Sequence, residues 1–286
     1  MNIRQSAGYR EYLEKLGWFC EEIESKKTKL YLFGKKFPLI GSYLRLVTSA
    51  TDFPLQDVEY LVRKSRAFKI IIARTDRQAG KEEQLSEKIL TSGYRYASNT
   101  LLPTKTLLID LDSLDKVWQG FISAKQRAIR AAEKRGLKAF LAKAETEFIM
   151  LKQSQLWPFG FLLTKEIKNL WDTFHSKQEA EILLASGKSG KILAGVFLLL
   201  HGDIAYYWMA SATKEGKANY APSFLVWEAI KLAKKRGCKV FDFEGIEDER
   251  FKDTKSWRGF TIFKKGFGGD VIYRPRPIQK MFWPTL

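Results

Sequence analysis

Residues 238–273 read CKVFDFEGIEDERFKDTKSWRGFTIFKKGFGGDVIY, and the rest of the chain is arranged around this stretch. The alternation of apolar and polar residues over 238–243 predicts a buried strand that runs into Asp242-Phe243-Glu244-Gly245. A polar loop carrying Trp257 and Arg258 follows. Then comes Phe263-Lys264-Lys265-Gly266-Phe267-Gly268-Gly269, and after it a second short strand over 271–273. The clustered glycines predict a turn with positive φ, or a backbone that a ligand approaches closely. Two lysines sit against that turn, where a cation can meet negative charge developing on a reacting group. The plain alternative is a hairpin turn with solvated lysines: among 49 Lys and Arg, one lysine alone says little.

The segment before this stretch has equally clear punctuation. Asn219-Tyr220-Ala221-Pro222-Ser223 opens a helix over 222–236, with proline in its first turn and Gly237 after its end. Residues 191–200 form a nearly continuous apolar run, which predicts a strand buried on both faces. His201-Gly202-Asp203 is a tight turn, and 204–210 pairs back as a hairpin. Further upstream, 180–186 reads as a strand and 165–176 as a helix with Ile167, Leu170, Trp171 and Phe174 inward. Residues 141–159 read as helix or linker, and the composition shift there places a domain boundary near 142. The N-terminal half gives a helix over 5–17, strands over 18–23 and 29–33, and a basic loop at Gly34-Lys35-Lys36-Phe37-Pro38 whose lysines are candidates for holding a phosphate. It continues with a strand over 43–47, a helix over 55–66, a strand over 68–73, a helix over 84–92 and strands over 94–99 and 105–111. Asp112-Ser113 caps one helix over 114–135, whose second half carries Lys125, Arg127, Arg130, Lys134 and Arg135. That basic face is the densest candidate for phosphate contacts. The aromatic tail, 274–286, is expected to pack back on the body.

Composition narrows the class. A chain of 286 residues with 45% apolar and 14% aromatic residues suits two packed domains and does not resemble a disordered protein. Its formal net charge of +17 exceeds what solubility asks for and predicts a polyanionic partner: nucleic acid, an anionic membrane face or a phosphorylated substrate. Cys20 and Cys238, with no CxxC motif, predict free thiols in a reducing compartment and no metal site. The first twenty residues lack the apolar core of a signal peptide, and no apolar run reaches the length of a membrane span. The expected location is cytoplasmic, with a basic surface able to sit on the inner membrane face. His175 and His201 fall in no recognisable motif, so a histidine base or a Ser-His-Asp triad has no support.

Both halves repeat the order helix, paired strands, helix, strand. That is the layout of GNAT-type acyltransferases, whose central mixed sheet splays to admit an acyl donor, so the expected fold is α/β (α+β) with two GNAT-like domains. The motifs go further. Gln5-Ser6, Leu16-Gly17-Trp18, Ile40-Gly41-Ser42-Tyr43-Leu44, 107–111 and Arg127-Ala128-Ile129-Arg130-Ala131-Ala132 occur in order through the first half. They are followed by Tyr220, Trp227-Glu228-Ala229-Ile230, Phe241-Asp242-Phe243-Glu244-Gly245-Ile246 and Phe263-Lys264-Lys265-Gly266-Phe267-Gly268. In this order and spacing the chain resembles the FemABX family of tRNA-dependent aminoacyltransferases that build peptidoglycan interpeptide bridges.

The resemblance implies a first domain of 1–142 closed by 275–286 and a second of 143–274. The long helical-hairpin arm that some members carry is not expected here, because no charged heptad pair of sufficient length is present. The resemblance also implies transfer of an amino acid from aminoacyl-tRNA, the co-substrate, to the stem-peptide amine of a peptidoglycan precursor, either UDP-MurNAc-pentapeptide or its lipid-linked form. No other cofactor is implied, and a monomer is the default. An aminoacyl ester is already activated, so the protein has to supply position and positive charge for the oxyanion. In the family that role falls to the lysine of the Phe-Lys-x-Gly-Phe motif, here Lys264 beside Phe263. Lys36, or Lys35, matches a lysine placed on the substrate diphosphate, and Tyr220 resembles a substrate-contacting tyrosine. A family arginine early in the second domain has no clear counterpart, and Lys165 is the substitute on offer, without the bidentate fork of arginine. Asp242 is a candidate acid/base, although capping a strand end or pairing with a lysine is the plainer role for it. Two other classes stay open: an acyl-CoA-dependent N-acyltransferase, for which the Gly-rich pyrophosphate loop is missing before 222–236, and a non-enzymatic RNA-binding protein that has kept the fold.

Overall fold

The computed structural model describes residues 2–25, 28–48, 54–76 and 87–282. The chain divides into two compact units: Met1–Lys105, Glu247–Arg258 and Ile272–Leu286 form the first, and Thr106–Ile246 with Gly259–Val271 forms the second.

The first unit carries a sheet of β1 (Phe19–Ser25), β2 (Thr28–Phe37), β3 (Gly41–Thr48), β4 (Ala67–Arg74) and β5 (Arg95–Tyr96), with strands numbered along the chain. A late strand, β13 (Ile278–Met281), inserts between β4 and β5, giving the order β1-β2-β3-β4-β13-β5. Helix α1 (Ala7–Lys15) starts where the Ser6 hydroxyl accepts from the Tyr9 backbone N–H at 3.1 Å. Helix α2 (Leu55–Lys64) buries Leu55, Val58, Leu61 and Val62, one stripe at helical spacing, against Leu44, Leu46, Ile70 and Ile72 of the sheet. A short helix, α3 (Glu87–Thr91), precedes β5. Part of the helix expected over 84–92 lies outside the described residues. Strands β3 and β4 run parallel and stay paired from Ser42↔Ala67 to Thr48↔Arg74.

The basic loop expected at Lys35-Lys36 is instead the end of β2, where Lys35 pairs with Tyr43 and Lys36 with Ser42. Gly34, read as loop punctuation, is a mid-strand residue. A Cβ there would lie 2.1 Å from the Phe19 ring, so its role is close approach. The chain reverses after Phe37, and Leu39 and Gly41 take positive φ.

The second unit carries β6 (Lys105–Asp110), β7 (Lys138–Leu141), β8 (Ala180–Ser186), β9 (Ile192–His201), β10 (Ile204–Ala212), β11 (Val240–Gly245) and β12 (Asp270–Tyr273), in the order β12-β6-β11-β10-β9-β8-β7. Its helices are α4 (Leu114–Gly120), α5 (Ser123–Lys134), α6 (Thr146–Gln155), α7 (Thr164–Phe174), α8 (Lys214–Ala218), α9 (Ala221–Lys235) and α10 (Arg258–Lys265). The core joins Val196 and Leu198 of β9, Phe241 and Phe243 of β11, and Leu225, Ala229 and Ile230 of α9.

Two expectations change here. The single helix over 114–135 is two helices, because Phe121 and Ile122 are extended. The Ile122 N–H donates to the Gly266 carbonyl at 3.0 Å, and the Phe121 ring meets Phe267 and Trp227 edge-on at 5.1 and 5.5 Å. Tertiary packing there outweighs helical propensity. The division expected near residue 142 also lies elsewhere. Strand β6 pairs with β11, and α5 packs its buried Ile129 and Ala132 into the core of the second unit, so 106–142 belong with that unit.

Candidate active site

The site grows from a separation of two strands. β10 and β11 are parallel and paired only at Ile204↔Val240, Ala205↔Phe241 and Tyr206↔Asp242. Just beyond, both lose regular register: β10 against β9 between Tyr207 and Met209, and β11 against β6 between Asp242 and Gly245. In β11 the irregularity is a bulge at Glu244, whose φ of 61° is left-handed. Asp242 holds it. Its buried carboxylate accepts from the Glu244 N–H at 2.7 Å and from the Thr106 hydroxyl of β6, which also reaches the Glu244 carbonyl.

The bulge presents two backbone carbonyls to one cation. Lys264 Nζ donates to the carbonyl oxygens of Phe243 at 2.8 Å and Gly245 at 2.6 Å. It also faces the rings of Phe260 at 4.8 Å and Tyr207 at 5.9 Å. Two of the three ammonium N–H groups are thus used by the fold, and one is left for a ligand. Only 8% of Lys264 is exposed. That burial lowers its pKa to about 8, against the opposing pull of Glu244 and Asp242.

Lys264 comes from a helix and not from the glycine turn predicted for it. Residues 258–265, read as loop and turn, form α10, with Thr261 and Lys264 buried on one face. The glycine turn begins one residue later. Gly268 and Gly269 have φ of 71° and 88°, and a Cβ on them would lie 2.6 Å from the Gly120 oxygen and 2.4 Å from the Leu108 oxygen. Those glycines set the backbone past α10 and so fix its C-terminal end.

Phe263, the neighbour of Lys264, turns toward α5. Lys125 Nζ lies 3.8 Å from the Phe263 ring centroid and 4.9 Å from that of Phe267, and desolvation lowers its pKa to about 8. A Cβ on Gly266 would come within 2.7 Å of the Lys125 side chain. Lys125 was legible only as one charge of a basic helix. Its lodging on the aromatic pair depends on the break at Phe121–Ile122, which leaves no local signal in the sequence.

Tyr220 is exposed in a left-handed conformation just before α9, with the Arg135 guanidinium 4.9 Å from its ring. Arg135 also donates to the Ala218 carbonyl at 2.7 Å, and with Lys134, Lys188 and Asn219 it lines an open depression of about 630 Å³. Lys165 is exposed in the first turn of α7. Lys36 is exposed near the end of β2, 5.8 Å from the Phe19 ring, while Lys35 points to the opposite face, over Trp18. Among the described residues no hydrogen bond or ion pair links Lys165 or Tyr220 to Lys264, and Lys36 belongs to the first unit. His201 pairs with Glu179, and His175 stacks on Trp171 at 3.7 Å. Cys20 and Cys238 are free, and burial raises both thiol pKa values. Among the described residues no group of three or more His, Cys, Asp or Glu is placed to hold a metal, and no helix is long and apolar enough to cross a membrane.

Each unit has a parallel strand pair joined through a helix, β3-α2-β4 and β10-α9-β11, and the second pair is wedged open beside a buried lysine. This defines a tandem GNAT-like acyltransferase fold. A tandem GNAT protein from the clavulanic acid biosynthesis pathway shares it, with a TM-score of 0.56 and 10% identity over 92% of this chain and 82% of that one. The crystal structure of FemX superposes with a TM-score of 0.79 and 15% identity, covering 98% of this chain and 92% of that one. Residues 163–275 match the FemAB family. A lipid II:glycine glycyltransferase of Staphylococcus haemolyticus is 27% identical over 92 residues, which is 32% of this chain and 22% of the relative. The matched segment therefore spans about a fifth of that relative's length.

Proposed function

We propose that the protein is an aminoacyltransferase that moves an amino acid from aminoacyl-tRNA to the stem-peptide amine of a peptidoglycan precursor. The observation that carries this reading is the Lys264 ammonium, held by the Phe243 and Gly245 carbonyls where β10 and β11 part, within the segment that matches the FemAB family. The relative named as a lipid II:glycine glycyltransferase supports the choice of acceptor class. The amine attacks the ester carbonyl, a C–N bond forms, and the C–O bond to the tRNA ribose breaks. The departing ribose oxygen takes up the proton that the amine loses. The remaining N–H of Lys264 is available to the oxyanion of the tetrahedral intermediate, in a site from which water is largely excluded. Asp242 contributes by holding the bulge, and its hydrogen bonds to Thr106 and Glu244 leave proton transfer to other groups.

The acyl-CoA alternative is disfavoured by the segment before α9. That position would need a glycine-rich loop whose amides face a pyrophosphate. Here it is the helix α8, in which a Cβ on Gly216 would lie 2.2 Å from the Leu193 carbonyl oxygen, so the glycine serves packing.

The test is transfer of radiolabel from a pool of charged tRNA to UDP-MurNAc-pentapeptide and to its lipid-linked form. Label in either acceptor, lost with Lys264→Ala, is expected. Absence of label in both, with turnover of an acyl-CoA, would replace this reading.

A further inference from the structure

The strongest feature that the reaction leaves unused lies between α6 and α7. Residues 156–162, Leu-Trp-Pro-Phe-Gly-Phe-Leu, run through a turn into the short 3-10 helix Phe159–Leu163, which buries only Gly160. Trp157 is 84% exposed and Phe159 68%, with Phe161 and Leu162 also above 60%. Met150, on α6, is exposed as well. A Cβ on Gly160 would lie 2.5 Å from the Gln153 Cα, so the turn is pinned to α6 at its one buried residue and its large side chains face solvent. Such contiguous apolar exposure marks an interaction surface. The charge beside it is mixed: Lys165 is exposed, Lys152 is half-buried and feels Glu166, and the attraction to an anionic surface comes from the chain's net charge of +17.

We infer that residues 156–162 are a docking surface for an anionic lipid bilayer, with Trp157, Phe159, Phe161 and Leu162 entering the headgroup–acyl boundary and the exposed Lys165 meeting lipid phosphates. Tryptophan and phenylalanine backed by lysine suit that boundary, where an apolar body and a cationic rim are satisfied together. Self-association through the same surface is opposed by the charge of the chain. Two copies, each of net charge +17, would repel one another. The inference rests on the segment's own exposure and on the net charge of the chain. It bears on the proposed reaction by placing the protein at the membrane that holds a lipid-linked acceptor.

The test is co-sedimentation with vesicles of phosphatidylglycerol and phosphatidylethanolamine, against vesicles of phosphatidylcholine alone, and needs neither tRNA nor acceptor. Wild-type protein is expected to bind the anionic vesicles and to keep a substantial bound fraction at high salt, where phosphate contacts alone are screened. The Trp157→Ser/Phe159→Ser/Phe161→Ser variant should lose at least about tenfold in partitioning, with an unchanged thermal melt because these side chains support no core. A parallel Leu39→Ser/Ile40→Ser variant, altering the exposed turn after β2, should bind as wild type. Equal binding by the triple variant, loss confined to the Leu39/Ile40 variant, no binding by wild type, or a wild-type dimer that the triple variant abolishes would each overturn the inference. Because no chemistry is involved, failure here leaves the transfer reading intact. Absence of transfer likewise leaves vesicle binding to be judged alone.

Discussion

Lys264 Nζ lies 2.6 Å from the carbonyl oxygen of Gly245, so the cation proposed for the oxyanion is also the clasp that closes the β11 bulge. Lys264→Ala is expected to lower kcat by about 10²–10³, or about 2.7–4 kcal/mol of transition-state stabilisation. A drop in kcat with little change in KM would mark a contact made mainly in the transition state.

The same lysine sets an alkaline limit. Its pKa in the fold is lowered to about 8 from the ordinary 10.5, so the charged form is lost as pH rises past 8. Transfer should fall on that limb, and the limb should move up in a Lys264→Arg variant that retains activity. Stability moves the other way. Between pH 8 and 10.5 the unfolded chain holds the extra proton, so stability should rise with pH across that window. A pH series of chemical melts on wild type and Lys264→Met reads this directly.

Gly268→Ala should destabilise the second unit. Its φ of 71° is left-handed, and the added Cβ would meet the Gly120 carbonyl oxygen at 2.6 Å, a backbone atom that cannot rotate away. A loss of about 1–3 kcal/mol is expected in denaturant melts. Gly259→Ala, where a Cβ meets nothing within 4 Å, is the matched control and should be nearly neutral.

In the first unit, Arg250 brackets Asp248 with bonds from Nε at 3.0 Å and Nη2 at 2.7 Å. Burial alone would raise the carboxyl pKa, but the Arg250 and Thr104 hydrogen bonds outweigh it and hold the value below 3.8. That stabilisation is complete above the unfolded pKa and is lost as pH falls through the lower folded one. Arg250→Ala leaves a carboxylate that is 1% exposed without its partner, and should cost about 3–5 kcal/mol. The deficit should shrink below pH 3.8, as melts across that range would show.

Lys125→Met keeps the side chain on Phe263 and removes its charge. KM for aminoacyl-tRNA is expected to rise several-fold, with a weaker salt dependence, because the charge lost is one that meets tRNA phosphate; unchanged kinetics would assign Lys125 to packing alone. Steady-state kinetics at two salt concentrations separate these outcomes.

Much of the frame was legible because it is written in local pattern. The apolar run of β9, the proline that opens α9 and the alternation in β11 each have a single structural solution. α10 was not legible, because its buried face carries Thr261 and Lys264 where an apolar stripe would signal a helix, and the glycines after it drew the reading toward a turn. The break between α4 and α5 was hidden for the opposite reason: the helical periodicity is intact, and only contacts with Gly266, Phe267 and Trp227 interrupt it. At the site, Lys264 was read onto a glycine turn, whereas it is buried on α10. The groups that hold it, the carbonyls of Phe243 and Gly245, carry no sequence signature because backbone oxygens belong to every residue.

β13 supplies the strand between β4 and β5, yet it is translated after every other strand among the described residues. During synthesis the second unit, Thr106–Ile246 with Gly259–Val271, therefore has all its segments before the first does. Until residues 278–281 emerge, β4 waits with an open edge, a template for pairing with any other nascent strand. A stalled ribosome or a stop codon just short of Ile278 would leave the earlier-made half as the unfinished one, and make it the target of chaperones and proteases.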